Sequence, residues 1–560
     1  MLIGIDVGGT CTDAVLLDGG AVCATAKVET QDDLLISLGD ALDNLLKGIP
    51  SHKIERVVFS TTLVTNLIAE KKYDPVGVVI MPGPGRTFSD LRDQDDVFCL
   101  NGAIDYRGRE IIPLQPSQME EVLAWLEAKG YNKVAVIGKF STRNNSHEVK
   151  VADFINKHHP DWQVEMGHRA GGKLNFPRRI ANTVLTCATR QKYRYFTKAV
   201  RDAMARRNIT ATVFILKADG GTLPLSASEE VPVETIFSGP AASTLGVQAL
   251  TPPGETSLVV DIGGTTTDLA LVLSGNPLLA SKGAKIGERY TQVRALAVHS
   301  VPVGGDSVVE RVGKEFIIYS ERMGPAYCLG GPMPTPTDAL RVMGISQIGD
   351  EDRAHEAMTI LGAPLGMGVR EVAQAIVNLV IDMVVVEIER MYMEWEQEPA
   401  YRVWEVIQKC KVRPQNVVGV GGGAAGFVPQ IAARLGCTPI LPPHAPVANA
   451  IGAAVARPTL QVNLMADTER QIYIVEEEGY QGQLAGKLDE LSAVELTKSW
   501  LLKRAEKMNL RSYVDEIEII NQDVFNVVRD WQTTGRLFHI SVQTPRGILA
   551  HIGTGGRFLP

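Results

Sequence analysis

The chain has 560 residues, too many for one hydrophobic core, and its length alone suggests three or four domains. Hydrophobic residues at 45% with 21% charged residues are the proportions of an ordinary globular protein. The formal net charge of −8 and the lack of a long basic run argue against a dedicated nucleic-acid surface.

The first element is an apolar run, Leu2 to Ile5, leading into Asp6-Val-Gly-Gly-Thr-Cys-Thr-Asp13, a second apolar run to Leu17 and the turn Asp18-Gly19-Gly20. This pattern predicts strand, tight glycine turn, strand, turn, strand. The same phrase returns at Asp261-Ile-Gly-Gly-Thr-Thr-Thr-Asp268, and over twelve positions starting at Asp6 and Asp261 seven residues are identical. Glycines beside threonines let a backbone bend sharply and bring N–H groups and hydroxyls up to an anion. Gly8, Gly9, Thr10 and Thr12, with Gly263, Gly264, Thr265 and Thr267, are therefore candidate phosphate contacts. Asp6 and Asp261 are candidate Mg²⁺ holders. Asp13 and Asp268 end the loops, where each would position a nucleophile or water, or cap its own turn. The motif is not a P-loop, because no Gly-Lys-Ser/Thr follows and the glycines join strand to strand.

Between the two copies, Leu34 to Ile49 carries leucines at helical spacing, closed by Gly48 and Pro50, and Val57 to Phe59 is a buried strand. That strand delivers Ser60, Thr61 and Thr62 to a helix start, for capping or for contact with a ligand beyond the strand. Residues 90 to 109 are turn-rich, an insertion over the cleft or a surface excursion. Val134 to Ile137 and Val213 to Leu216 are further short strands, and their alternation with helical patterns indicates an α/β class. Ser238 to Gly246 and Ala448 to Ala456 are helices of small residues, which allow two backbones to cross closely. Val372 to Ile388 is the most apolar stretch, but Asn378, Asp382 and Glu387 interrupt it, so a buried helix is expected and no membrane span. Val417 to Val420 leads into Gly421-Gly422-Gly423, a turn able to lie flat against a purine, and Val428 to Leu435 is again helical. Beyond Pro458 the chain reads as a separate small α/β appendage with a helix over Leu488 to Met508 and strands around Thr544 to Gly547.

With these motifs in order, the chain resembles the acetate and sugar kinase, actin and heat-shock chaperone superfamily, and within it the hydantoinase/oxoprolinase family. The likeness runs from Met1 to about Pro458. It is carried by Gly4 to Asp13, Ser60 to Asn66, Phe140 to Glu148, Glu234 to Ala242, Asp261 to Asp268, and Gly324 to Gly331 leading to Pro336-Thr-Asp338. The resemblance implies two ribonuclease-H-like halves with a nucleotide cleft between them, divided at 1–180 and 181–458, with 459–560 as the C-terminal domain. It implies ATP and Mg²⁺ as cofactors and the small-residue helices as a hinge. The chain departs from the family at Pro302-Val-Gly-Gly-Asp-Ser307, which looks more like the turn of actins and chaperones and makes Gly304 and Gly305 candidate nucleotide contacts. It departs again at Gly421 to Phe427, which lacks the family's histidine.

Three activities fit the resemblance. One is an ATP-dependent hydrolase subunit that phosphorylates a cyclic amide or carbonyl, working on a small-molecule substrate with a second hydantoinase-B-like subunit or as a homo-oligomer. The others are a small-molecule kinase and a non-catalytic ATP-driven regulatory or assembly protein. Seven scattered cysteines without a Cys-x-x-Cys pair and a start without a charged leader suggest reduced thiols in a cytoplasmic protein. The histidines form no zinc pattern.

Overall fold

Six successive buried residues, Leu2–Val7, form β1, the centre of the first sheet. The glycine turn after β1 folds Cys11–Asp18, β2, back antiparallel, and a second turn returns Ala21–Glu29 as β3. On the other side of β1 lie parallel Arg56–Thr61, β4, then parallel Thr212–Leu216, β5, with Thr222–Pro224, β6, at the edge. The computed structural model describes residues 1–31, 33–69, 71–84, 97–171, 174–287, 289–397 and 413–553.

The second sheet repeats the plan. Ser257–Ile262, β7, is central, and Thr267–Leu273, β8, returns antiparallel to it, with Val298–Val301, β9, antiparallel to β8. Asn416–Val420, β10, and Thr438–Ile440, β11, add parallel on the far side. Both sheets therefore have the ribonuclease-H-like order of hairpin, central strand and parallel strands.

Two short helices join the halves. Ser238–Leu250, α1, packs Val247 against Val259 and Val418 of the second sheet, while Ala448–Val455, α2, packs Ala450, Ile451 and Ala454 against Leu2, Val15 and Leu17 of the first. They cross at glycines: a Cβ on Gly452 would stand 1.9 Å from Ala242 O, and one on Gly246 would stand 2.1 Å from Ala448 O. Gly4 gives α2 the same close approach to β1, since a Cβ there would meet Ala450 O at 1.9 Å. The small-residue pattern thus has a physical cause, because no side chain fits between these backbones.

The first half carries an inserted parallel sheet ordered Gln163–Met166, Lys133–Gly138, Gly77–Met81, Val97–Cys99. The helix Phe176–Arg206 is common to both sheets. Its Phe176, Ile180 and Cys187 pack on the insertion, and its Tyr193, Phe196 and Val200 pack beneath β1 and β4. The division expected at residue 180 falls inside this helix, and β5 of the first sheet lies beyond it, so the first half extends past that point. Of the turn-rich segment 90–109, residues 90–96 lie outside the described residues. The rest joins the insertion, and Arg107 is buried against Asp467 of the C-terminal sheet, Nε to Oδ2 at 2.8 Å and Nη2 to Oδ1 at 2.8 Å.

The C-terminal region forms a five-stranded sheet backed by the helix Glu490–Lys507. Its core includes Val58 of β4 and Phe214 of β5 alongside its own Leu464, Leu501 and Phe538, so it is packed onto the first half and is not a detached appendage. Its longest element, the hairpin Glu518–Arg529 and Gln532–Gln543, begins well before the strands read from sequence. The apolar stretch 372–388 lies in the helix Val369–Gln397, inside the core of the second half. No helix among the described residues is long and apolar enough to cross a membrane.

Candidate functional site

The two glycine hairpins form the same turn. Gly8 N–H donates to Cys11 O at 3.1 Å, and Gly263 N–H donates to Thr266 O at 3.0 Å. The threonines divide by position. Thr12 and Thr267 are buried, with the Thr12 hydroxyl 3.0 Å from that of Thr30 and the Thr267 hydroxyl donating to Val303 O at 2.7 Å, so they brace the loops from behind. Gly9 and Gly263 are exposed at the tips, with Gly8, Thr10, Gly264 and Thr265 half-buried beside them.

Strand register fixes the carboxylates. Asp6 pairs with Asp13 across β1 and β2 and lies beside Ser60 of β4, while Asp261 pairs with Asp268 across β7 and β8. Asn449 at the start of α2 bridges the halves. Its Nδ2 lies 3.3 Å from Asp6 Oδ2 and 3.2 Å from Asp261 Oδ2. Burial pushes Asp6 up to about 6, and burial with the neighbouring Asp268 charge pushes Asp261 up to about 7. Burial likewise raises Asp268 to about 6, against a hydrogen bond from the Ser300 hydroxyl. Burial raises Asp13 too, opposed by Lys27, whose Nζ lies 2.7 Å and 3.0 Å from its carboxylate oxygens.

This site fits a magnesium-bound nucleotide. Asp6 Oδ1 is buried without a hydrogen-bond partner, and Asp6 and Asp261 supply hard oxygen ligands that lack a neutralising cation. Among the described residues no group of three or more His, Cys, Asp or Glu side chains forms a metal cage. One or two carboxylates completed by water and phosphate oxygens is the usual arrangement for Mg²⁺.

The third glycine cluster meets this site from the second half. Gly421, at φ 83°, is pressed against β7, where a Cβ would stand 2.5 Å from Asp261 Oδ1. Gly423 N–H donates to Ile262 O at 3.1 Å. Gly422 is exposed, and a Cβ there would meet nothing within 4 Å, so among the three it faces open space. Phe427, at the position of the family's histidine, is buried in the core of the second half. Gly304 and Gly305 differ from expectation. They are buried, Gly305 N–H donates to Gly263 O at 2.9 Å, and Asp306 N–H donates to Gly264 O at 2.7 Å. Gly304 N–H is taken by Ser307 Oγ at 2.9 Å. Their amides are engaged in buttressing the second hairpin, because the chain must pass so near Gly263 and Gly264 that a Cβ on Gly304 would overlap them.

Four residues not singled out by sequence reasoning complete the site. Asn449 stands 443 residues from Asp6 in the chain, and no local pattern marks it. Lys27 holds Asp13, and Arg322 Nε holds Asp306 Oδ2 at 3.2 Å. The Cys11 thiol, raised by burial, is drawn back by the charges of both Lys27 and Arg322, which places cations from each half within reach of the first loop. Asn66 lies closest to Gly9. The Ser60 to Thr62 segment caps and links: Leu63 N–H donates to Thr61 Oγ1 at 3.2 Å, and the Ser238 hydroxyl at the start of α1 donates to Thr61 O at 2.8 Å.

Known proteins of similar sequence and fold share one family description. The Hydantoinase/oxoprolinase family model matches residues 179–462, and the model of the Hydantoinase/oxoprolinase N-terminal region matches residues 2–159. The chain is 24% identical over 486 residues to caprolactamase subunit alpha of Pseudomonas jessenii, covering 79% of this chain and 68% of that protein. It is 25% identical over 395 residues to the acetophenone carboxylase gamma subunit of Aromatoleum aromaticum, covering 61% and 53%. It is also 22% identical over 433 residues to an uncharacterized protein of Methanocaldococcus jannaschii, covering 67% of this chain and 62% of that relative's length. Nucleotide-free acetone carboxylase shares the fold at a TM-score of 0.72 and 17% identity, over 97% of this chain and 87% of that one. The ATP-dependent caprolactamase of Pseudomonas jessenii does so at 0.67 and 20%, with the same coverage.

Proposed function

The chain belongs to the hydantoinase/oxoprolinase family, and from that premise we propose that it is the nucleotide-using subunit of an ATP-dependent hydrolase that activates a cyclic amide or carbonyl by phosphorylation. The observation that carries this reading is the facing of Asp6 and Asp261, one from each glycine hairpin, across the single amide of Asn449.

In this reading the hairpin backbones at Gly8, Gly9, Gly263 and Gly264, with Thr10 and Thr265, cradle the phosphates, and Gly422 lies along the adenosine. Asp6 and Asp261 hold Mg²⁺, which supplies charge neutralisation for phosphoryl transfer when bound. Lys27 and Arg322 add positive charge at the same mouth. Asp13 and Asp268 position the attacking group. Asp268 suits proton handling better, since its pKa of about 6 lies near neutrality and no cation pairs with it among the described residues, whereas Asp13 is paired with Lys27. Phosphorylating the amide or carbonyl oxygen makes its carbon a better electrophile, open to water; in a cyclic amide the C–N bond then breaks with the nitrogen leaving protonated, and hydrolysis of the resulting acyl phosphate releases phosphate. The relatives named above as subunits support a partner chain that completes the reaction.

The test is ATP turnover with and without hydantoins, 5-oxoproline and simple ketones. ADP release stimulated by a cyclic amide, together with ring opening, is the expected result. A stable phosphorylated substrate indicates a kinase instead, and slow turnover indifferent to every substrate indicates a conformational ATPase.

A further inference from the structure

A cavity of about 540 Å³ lies where the insertion, the second half and the C-terminal sheet meet, and none of its lining residues belongs to the nucleotide cleft. We propose that it binds a small organic carboxylate. Its size is that of a metabolite pocket. The motif Phe140 to Glu148, which the nucleotide site leaves unused, delivers Arg143 to its wall. Arg143 Nη1 pairs with Glu476 Oε1 at 2.5 Å, but its Nε is buried without a partner. Such an orphaned charged donor is costly unless something accepts from it.

The remaining cations face the cavity without carboxylates of their own. Arg178 and Lys282 lean on the ring of Tyr290, at 5.5 Å and 5.7 Å, and neither pairs with an acid among the described residues. Among the described residues Arg294 bonds neutral oxygens, Gln461 Oε1 at 2.8 Å and Gln543 Oε1 at 2.7 Å, with Asp219 acting on it at longer range. Among the described residues, four cationic side chains thus line the cavity against one acid, Glu476. His539 adds no charge, since burial and Arg143 hold its imidazole down to about 4, leaving a neutral ring for hydrogen bonding. Leu279, Leu464 and Ile540 add aliphatic surface, and Asn175, Thr291 and Asn463 are among the neutral polar side chains between. Cations together with aliphatic surface favour a carboxylate on a short carbon chain over inorganic phosphate.

The test is calorimetric titration of the full chain with glutarate, in the absence of nucleotide, so that failure of the ATP reading leaves it untouched. Saturable one-to-one binding is expected, weakened roughly tenfold or more by Arg178→Met and by Lys282→Met, each of which removes one charge-assisted contact. Lys282 is exposed, so its variant guards against misfolding, and both variants should keep the parent melting temperature. The proposal is overturned if glutarate does not saturate, if both variants bind it as the parent does, or if uncharged glutaramide or inorganic phosphate binds as tightly.

Discussion

Gly422 is the sharpest probe of nucleotide contact because nothing of the protein lies near where its side chain would go. Gly422→Val should abolish Mg-ATP binding in calorimetry while leaving the melting temperature unchanged; normal binding would remove this turn from the site. Gly264→Val is a poorer test, since its Cβ would already stand 2.9 Å from Asp306 Oδ2. The carboxylates make a separate prediction through pH. Asp6 and Asp261 titrate near 6 and 7, above their ordinary value of 3.8, so between those limits the folded chain holds more protons than the unfolded one. Stability of the nucleotide-free protein should therefore rise as pH falls from about 7 towards 4, by about 1.4 kcal/mol per pH unit for each extra proton retained. Asp261→Asn should flatten that profile in thermal melts at graded pH. Bound Mg²⁺ favours the ionised forms, so nucleotide binding near pH 6.5 should release protons, read as a difference in heat between buffers of unlike ionisation enthalpy. Asp6→Ala and Asp261→Ala should each lower turnover by roughly a hundredfold or more, with a smaller loss of nucleotide affinity.

At the scale of elements, the hairpins were legible because two glycines between apolar runs have one economical conformation, and the repeat placed both in equivalent sheets. The crossing of α1 and α2 was legible for a similar reason, since glycine at the contact and small residues around it are what so close an approach requires. Gly452→Ala should cost about 2 kcal/mol or more in urea unfolding, because backbone atoms of Ala242 and Gly246 must move to admit the methyl group. Nucleotide-driven closure about this crossing would appear in scattering as a more compact particle with a non-hydrolysable analogue, and an unchanged radius would remove the hinge. What the sequence hid were relations between distant elements. Phe176–Arg206 has no break at residue 180, since one end serves the insertion's core and the other the main sheet. The strand Glu518–Arg529 escaped notice because it is an edge strand whose residues are mostly exposed, which blurs the alternation that marks a strand. Lys27 reaches the site by standing across from Asp13 on the neighbouring strand, Arg322 through its contact with Asp306, and Asn449 by bridging the halves, none of which a local pattern marks.

Buried ion pairs join the insertion to the C-terminal sheet across long stretches of chain, which no local pattern marks. Arg107 and Asp467 have side chains 3% and 0% exposed, and Arg143 and Glu476 have side chains 3% and 7% exposed. Asp467 also accepts from the backbone N–H groups of Glu469 and Arg470, each at 3.1 Å, so it shapes the turn that presents Glu469 to the same guanidinium. Burying such a pair adds little net stability, whereas removing one partner strands a charge in the interior. Asp467→Asn keeps the turn acceptor but loses the charge, and should cost about 3 kcal/mol. Because the lost contact joins two bodies with separate cores, the expected sign in calorimetry is a single unfolding transition splitting in two, the insertion melting first. Arg107→Met combined with Asp467→Asn removes both charges while the Asn side-chain oxygen still accepts from the turn, so it should recover most of the stability and restore one transition. If the double variant were as unstable as Asp467→Asn alone, the unpaired guanidinium would not be the source of the loss, and the ion pair would not be what couples the insertion to the rest of the chain.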